Sequence, residues 1–126
     1  MPDNVWRARL SEKAEQDLID ITRWTARKFG ARQAVTYRGI ILSALMELRL
    51  GPAVPGSKKR DEIGLGLHTL SVARRGRRGS HFLLYRPREG RIIEIVRILH
   101  MSMEIERHLP RDAPALDDTG GNPFSD

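Results

Sequence analysis

Between Arg91 and Leu109 the chain reads RIIEIVRILHMSMEIERHL, and the first half of this stretch limits the fold more than any other. Ile92, Ile93, Ile95, Val96, Ile98 and Leu99 form an apolar run broken only by Glu94 and Arg97. Its β-branched content favours a strand. Apolar side chains at both odd and even positions mean that both faces of the strand are covered, so it is expected to be central. Beyond Leu99 the character changes, to His100, Met101, Met103, Glu104, Arg107 and His108.

The elements before it can be read in order. Val5 to Leu10 alternates as a short strand. Ser11 is placed to cap a helix, with Glu12 at its positive end. Ala14, Leu18, Ile21 and Thr25 recur at helical spacing, Trp24 and Phe29 widen that stripe as expected core residues, and Gly30 stops it. Glu12, Lys13, Gln16, Asp17, Asp20 and Arg23 are assigned to the solvent side. A second helix is expected from Ala31 to Arg49, with Ala34, Val35, Ile41, Leu42, Leu45 and Leu48 on its apolar stripe and Gly51-Pro52 as its end. Two helices joined by one glycine fold back as a hairpin.

Residues 51–66 read as a loop carrying Lys58, Lys59 and Arg60. Leu67 to Ala73 alternates as a strand, Arg74 to Ser80 is a turn with four arginines, and Phe82 to Arg86 is a strand that Pro87 to Gly90 turns into the Arg91 stretch. The order is β-α-α-β-β-β. The expected class is α+β, with a helical hairpin on one face of a small, mainly antiparallel sheet. With 126 residues there is room for one domain, assigned to 1–110, and the acidic, proline- and glycine-containing 111–126 is expected to be a flexible tail.

Charge narrows the partners. The net charge is +6, and residues 111–126 hold one arginine against four aspartates, leaving −3 there and +9 on residues 1–110. A domain that basic attracts polyanions or acidic protein surfaces. The absence of cysteine excludes disulfides and thiolate chemistry and fits a reducing cytoplasm. No apolar run nears the ~20 residues that cross a bilayer, and the N-terminus has no apolar signal core. No metal or other cofactor is expected: none of His68, His81, His100 and His108 stands at metal-ligand spacing.

Candidate site residues come from charges inside strands and from the strand end. Arg86 and Arg97 interrupt apolar runs and need partners, either a structural ion pair, such as one with Glu94, or an anionic target. His100 closes the long strand and could serve as a general acid or base, with Arg97 and Arg86 stabilising a phosphorane-like transition state. A histidine that simply caps a strand end by a hydrogen bond is the commoner arrangement.

Three stretches carry a family resemblance: LSEKAEQDLIDITRW, GSHFLLYRP (Gly79 to Pro87) and IVRILHMSMEIERHL (Ile95 to Leu109). The last is similar to a closing signature V-x-R-V-L-H-x-x-M-x-x-x-x-H-L, with Arg97, Leu99, His100, Met103, His108 and Leu109 on pattern. The chain thereby resembles the ParE toxins of the RelE/ParE superfamily, the toxin halves of bacterial type II toxin–antitoxin pairs. The resemblance implies a ParD-like antitoxin whose acidic, amphipathic tail wraps the toxin, and DNA gyrase as target. Arg86, Arg97, His100 and Met103 are then the candidate target-binding residues, and Arg74, Arg75, Met101 and Met103 the candidate antitoxin contacts. The RelE-like alternative, an mRNA endonuclease acting at the ribosome, would make His100, Arg97 and Arg86 catalytic. It is only loosely echoed, by Lys58, Lys59, Arg86 and His100.

Overall fold

The computed structural model describes residues 5–73, 76 and 78–102. Arg74, Arg75, Met103, His108 and the tail expected over 111–126 lie outside the described residues. Strand β1 (Arg7–Leu10) leads into helix α1 (Glu12–Phe29) and helix α2 (Ala31–Glu47), which closes in a 3-10 turn at Leu48–Leu50. Strands β2 (Lys58–Lys59), β3 (His68–Ser71), β4 (His81–Arg88) and β5 (Ile92–His100) follow. The sheet order is β1-β5-β4-β3-β2; β1 pairs with β5 in parallel and every other pairing is antiparallel. This is the α+β arrangement expected, with a two-residue edge strand added inside the Lys58 loop.

β5 is central because β1 and β4 flank it. Leu84 pairs with Arg97 and Tyr85 with Ile95, so Val96 is an extra, bulged residue that resets the alternation. Ile93, Ile95 and Ile98 join Leu83, Tyr85, Leu70 and Val72 in one cluster with Leu18, Ile21, Ile41 and Leu45 of the helices. Val96 and Leu99 join Leu84, Leu67, Ile63 and Phe82 in a second. The bulge thus explains an apolar run with no clean period of two: its members belong to two cores.

Ser11 caps α1 by accepting the Ala14 amide at 3.0 Å, and its hydroxyl also donates to the Val96 carbonyl at 2.8 Å. One side chain therefore starts the helix and ties it to the edge of β5. Gly30, with φ of 96°, joins the helices in a conformation that disfavours any side chain.

Four burial expectations are corrected. Asp17, assigned to solvent, is 1% exposed, because Arg97 supplies it with a charged partner inside the fold. Trp24 and Phe29, assigned to the core, are 49% and 64% exposed. They sit towards the Gly30 turn of the hairpin, where α1 has run past the sheet, and pack edge-to-face on each other at 5.9 Å. Val35 is exposed too, since the stripe of α2 that meets the core is Ala34, Ile41, Ala44 and Leu45.

Candidate functional site

A groove of about 1020 Å³ opens between the helical hairpin and the ends of β4 and β5. Helix α1 lines it with Arg23, Trp24, Arg27 and Phe29, and α2 with Tyr37 and Ile40. Arg78, Ser80, His81, His100 and Ser102 close it from the sheet side. The wall therefore combines exposed aromatic faces with cations, and Asp20 is its only acid among the described residues.

Tyr37 is the centre of the closed end. It lies three residues after Ala34 and four before Ile41, so helical spacing turns it inward from α2. Its oxygen receives the Ser80 amide at 3.0 Å and lies 2.7 Å from Nδ1 of His81. Burial raises the pKa of this phenol, with the Ser80 and His81 backbone amides opposing the shift. His81 is pushed down to about 4, first by burial and then by the charge of His100. The two imidazoles face each other across the β4–β5 register, with centroids 5.2 Å apart and planes at 87°. His100 is held by Ser102, whose hydroxyl lies 2.8 Å from its Nδ1.

The structure gives the three residues singled out for catalysis separate sets of partners. Arg97 is 4% exposed and forms a bidentate pair with Asp17, both bonds at 2.8 Å. Its partner is thus Asp17, not Glu94. Arg86 instead takes Glu94, directly opposite it on β5, at 3.0 Å, and Arg88 approaches the same carboxylate at 3.5 Å. His100 alone lines the groove. Met101 is exposed just past β5, and Arg74, Arg75 and Met103 fall outside the described residues. Of the basic loop, Lys59 and Arg60 have acidic neighbours, Asp61 at 3.7 Å and Glu62 at 2.7 Å.

Sequence reasoning missed Tyr37, His81, Trp24 and Phe29 as lining residues. The spacing Ala34, Tyr37, Ile41 was available as a signal for Tyr37. That His81 opposes His100 required the strand register, which the bulge shifts.

The family model for the ParE toxin of the type II toxin–antitoxin system parDE matches residues 8–105. This chain belongs to the ParE toxin family. Toxin ParE1 of Caulobacter vibrioides is 36% identical over 101 residues, covering 80% of this chain and 95% of that protein. Toxin ParE1 of Mycobacterium tuberculosis is 32% identical over 103 residues, covering 82% and 97%. A solved chromosomal ParDE system from P. aeruginosa contains a chain of the same fold, with a TM-score of 0.63 and 22% identity over 79% of this chain and 99% of that one. The ParE match takes in both helices and all of the sheet except Arg7 of β1, so the groove and the Asp17–Arg97 pair lie within the matched region.

Proposed function

We propose that this ParE toxin arrests growth by acting on DNA gyrase in the cytoplasm and is neutralised by a ParD-like antitoxin. The observation that carries the reading is the ParE match over residues 8–105, together with relatives named as ParE toxins that are matched over 95% and 97% of their own length. A non-enzymatic poison also accommodates the partners of the strand arginines. Arg97 is committed to Asp17 in the core and Arg86 to Glu94, so a phosphoryl-transfer site built on them with His100 would first have to break two ion pairs.

The groove is the surface assigned to the antitoxin. Its apolar floor suits the apolar face of an amphipathic segment, and Arg23, Arg27 and Arg78 suit its acids. The exposed Trp24 and Phe29 are the kind of aromatic anchors that dominate such contacts.

The test is a supercoiling assay with purified chain, DNA gyrase, relaxed plasmid and ATP. The expected result is loss of supercoiling with accumulation of linear, gyrase-linked DNA. Unaffected gyrase, from protein that is folded and toxic in cells, would refute the target and turn attention to mRNA cleavage at the ribosome.

A further inference from the structure

The groove between the helical hairpin and the ends of β4 and β5 holds cations that nothing around them neutralises. Arg23 and Arg27 of α1 and Arg78 before β4 line it and are exposed. Among the described residues none of the three has an ion-pair partner. Asp20, the only acid of that lining, accepts from the Gln16 side-chain amide at 2.9 Å instead. The same wall carries the exposed rings of Trp24 and Phe29. An occupant complementary to it brings carboxylates next to an apolar side chain.

The chain carries such a segment itself. Ser102 lines the groove and is the last described residue, so the backbone leaves the described domain at the groove. Residues 111–126 read RDAPALDDTGGNPFSD, with a net charge of −3 against +9 on residues 1–110. Leu116, Asp117 and Asp118 set one apolar side chain beside two carboxylates. Reach is not limiting: Ser102 to Leu116 can span about 45 Å extended, while Ile21 to Phe29 of α1 covers about 12 Å. The segment also lies outside the family match, which ends at residue 105. Relatives matched over 95% and 97% of their own length cover only 80% and 82% of this chain.

We propose that residues 111–126 occupy the groove of their own chain, with Leu116 against Trp24 and Phe29, and Asp117 and Asp118 on Arg23, Arg27 and Arg78. The segment then competes with the antitoxin for one seat, a consequence that rests on the antitoxin reading above. A second copy of the chain is a poorer occupant, because its basic domain would bring like charge to the three arginines. Tethering makes weak contacts sufficient. At an effective concentration of about 1 mM, a segment with a Kd of about 0.1 mM in trans fills its seat roughly nine-tenths of the time. The antitoxin must displace it, which raises the apparent Kd of the complex about tenfold.

Because the chain has no cysteine, one introduced thiol can carry a nitroxide at a single place. The experiment uses the full chain from cell-free synthesis with Thr119→Cys so labelled, followed by amide NMR. It is compared with the same labelled chain bearing Leu116→Ser, Asp117→Lys and Asp118→Lys. The expected result is broadening of the Trp24, Arg27 and Phe29 amide signals that falls severalfold in the second chain, and also in about 1 M salt. A segment that is only tethered would broaden these signals equally in both chains, which would overturn the proposal. So would equal broadening when the nitroxide and the isotope label are on separate chains, since the occupant would then be a second copy. In a calorimetric titration with antitoxin, the triple substitution should tighten binding about tenfold. The NMR comparison itself needs no antitoxin. Selective broadening with unchanged antitoxin affinity would support the seated segment and count only against the antitoxin reading of the groove.

Discussion

Asp17 on α1 and Arg97 on β5 form a bidentate ion pair inside the fold, and Oδ2 of the same carboxylate accepts the Ile98 amide at 2.9 Å. Asp17 thus serves β5 in two ways, as a counter-charge and as the acceptor that a neighbouring strand would otherwise provide beyond the end of β1. Removing one partner strands the other. Asp17→Ala is expected to cost about 3–5 kcal/mol in urea unfolding, as for other broken buried pairs. Asp17→Leu combined with Arg97→Met should recover part of that. About 1–3 kcal/mol should remain lost, because the Ile98 amide keeps no acceptor. A double variant no more stable than Asp17→Ala would show that the charge is not what the pair neutralises.

Gly79 supports the closed end of the groove. A Cβ there would lie 2.5 Å from Cγ2 of Val72 and 3.1 Å from the Tyr37 hydroxyl. Gly79→Ala must therefore displace Val72 or the tyrosine. The expected outcome is a loss of about 1–3 kcal/mol in thermal or urea unfolding, the usual range for an overpacked site. It should also bring a changed environment for the His81 ring in NMR spectra. An alanine variant as stable as the parent would mean that the turn before β4 yields freely.

Stability should fall in mild acid through His81. Its folded-state pKa is lowered to about 4 from an unfolded value of 6.5. Between those values the unfolded chain binds more protons than the folded one, so unfolding becomes easier as pH falls. The contribution is complete above pH 6.5 and lost progressively towards pH 4, in total on the order of 3 kcal/mol. Urea midpoints taken from pH 7.5 to pH 4.5 should show this slope, and His81→Gln should flatten it. A slope unchanged in that variant would assign the acid sensitivity to other groups.

How much of this was open to reading in the sequence differs by element. The element order, the Ser11 cap, the Gly30 break and the central Ile92–His100 strand follow from local patterning, because each depends on residues near one another in the chain. Asp17 shows the limit. Its position between Ala14 and Ile21 places it on the buried stripe, yet its charge argues for solvent, and only the Arg97 side chain, 80 positions away, resolves the conflict. Trp24 and Phe29 fail the other way. They extend the apolar stripe of α1, but the sheet beneath ends before they do, and no local pattern records where a helix outruns its support. The His81–His100 opposition depends on strand register and on the bulge at Val96, both long-range properties.

The exposure of Trp24 separates folding from binding. Its indole is half exposed, with Phe29 at its edge and the Lys28 ammonium 6.0 Å from the ring centre. Trp24→Ala should therefore cost under about 1 kcal/mol of stability, as substitutions outside the core do. If the groove seats the antitoxin, the same change removes an aromatic anchor from the interface. It should then weaken the complex by about 2 kcal/mol or more, roughly thirtyfold in Kd. The paired measurement is urea unfolding of the free toxin and calorimetric titration with its antitoxin. Phe29→Ala should behave alike, and the two together should cost less than the sum of the parts, since each ring rests on the other. Normal affinity in both variants would move the antitoxin off this groove, whatever the stability result.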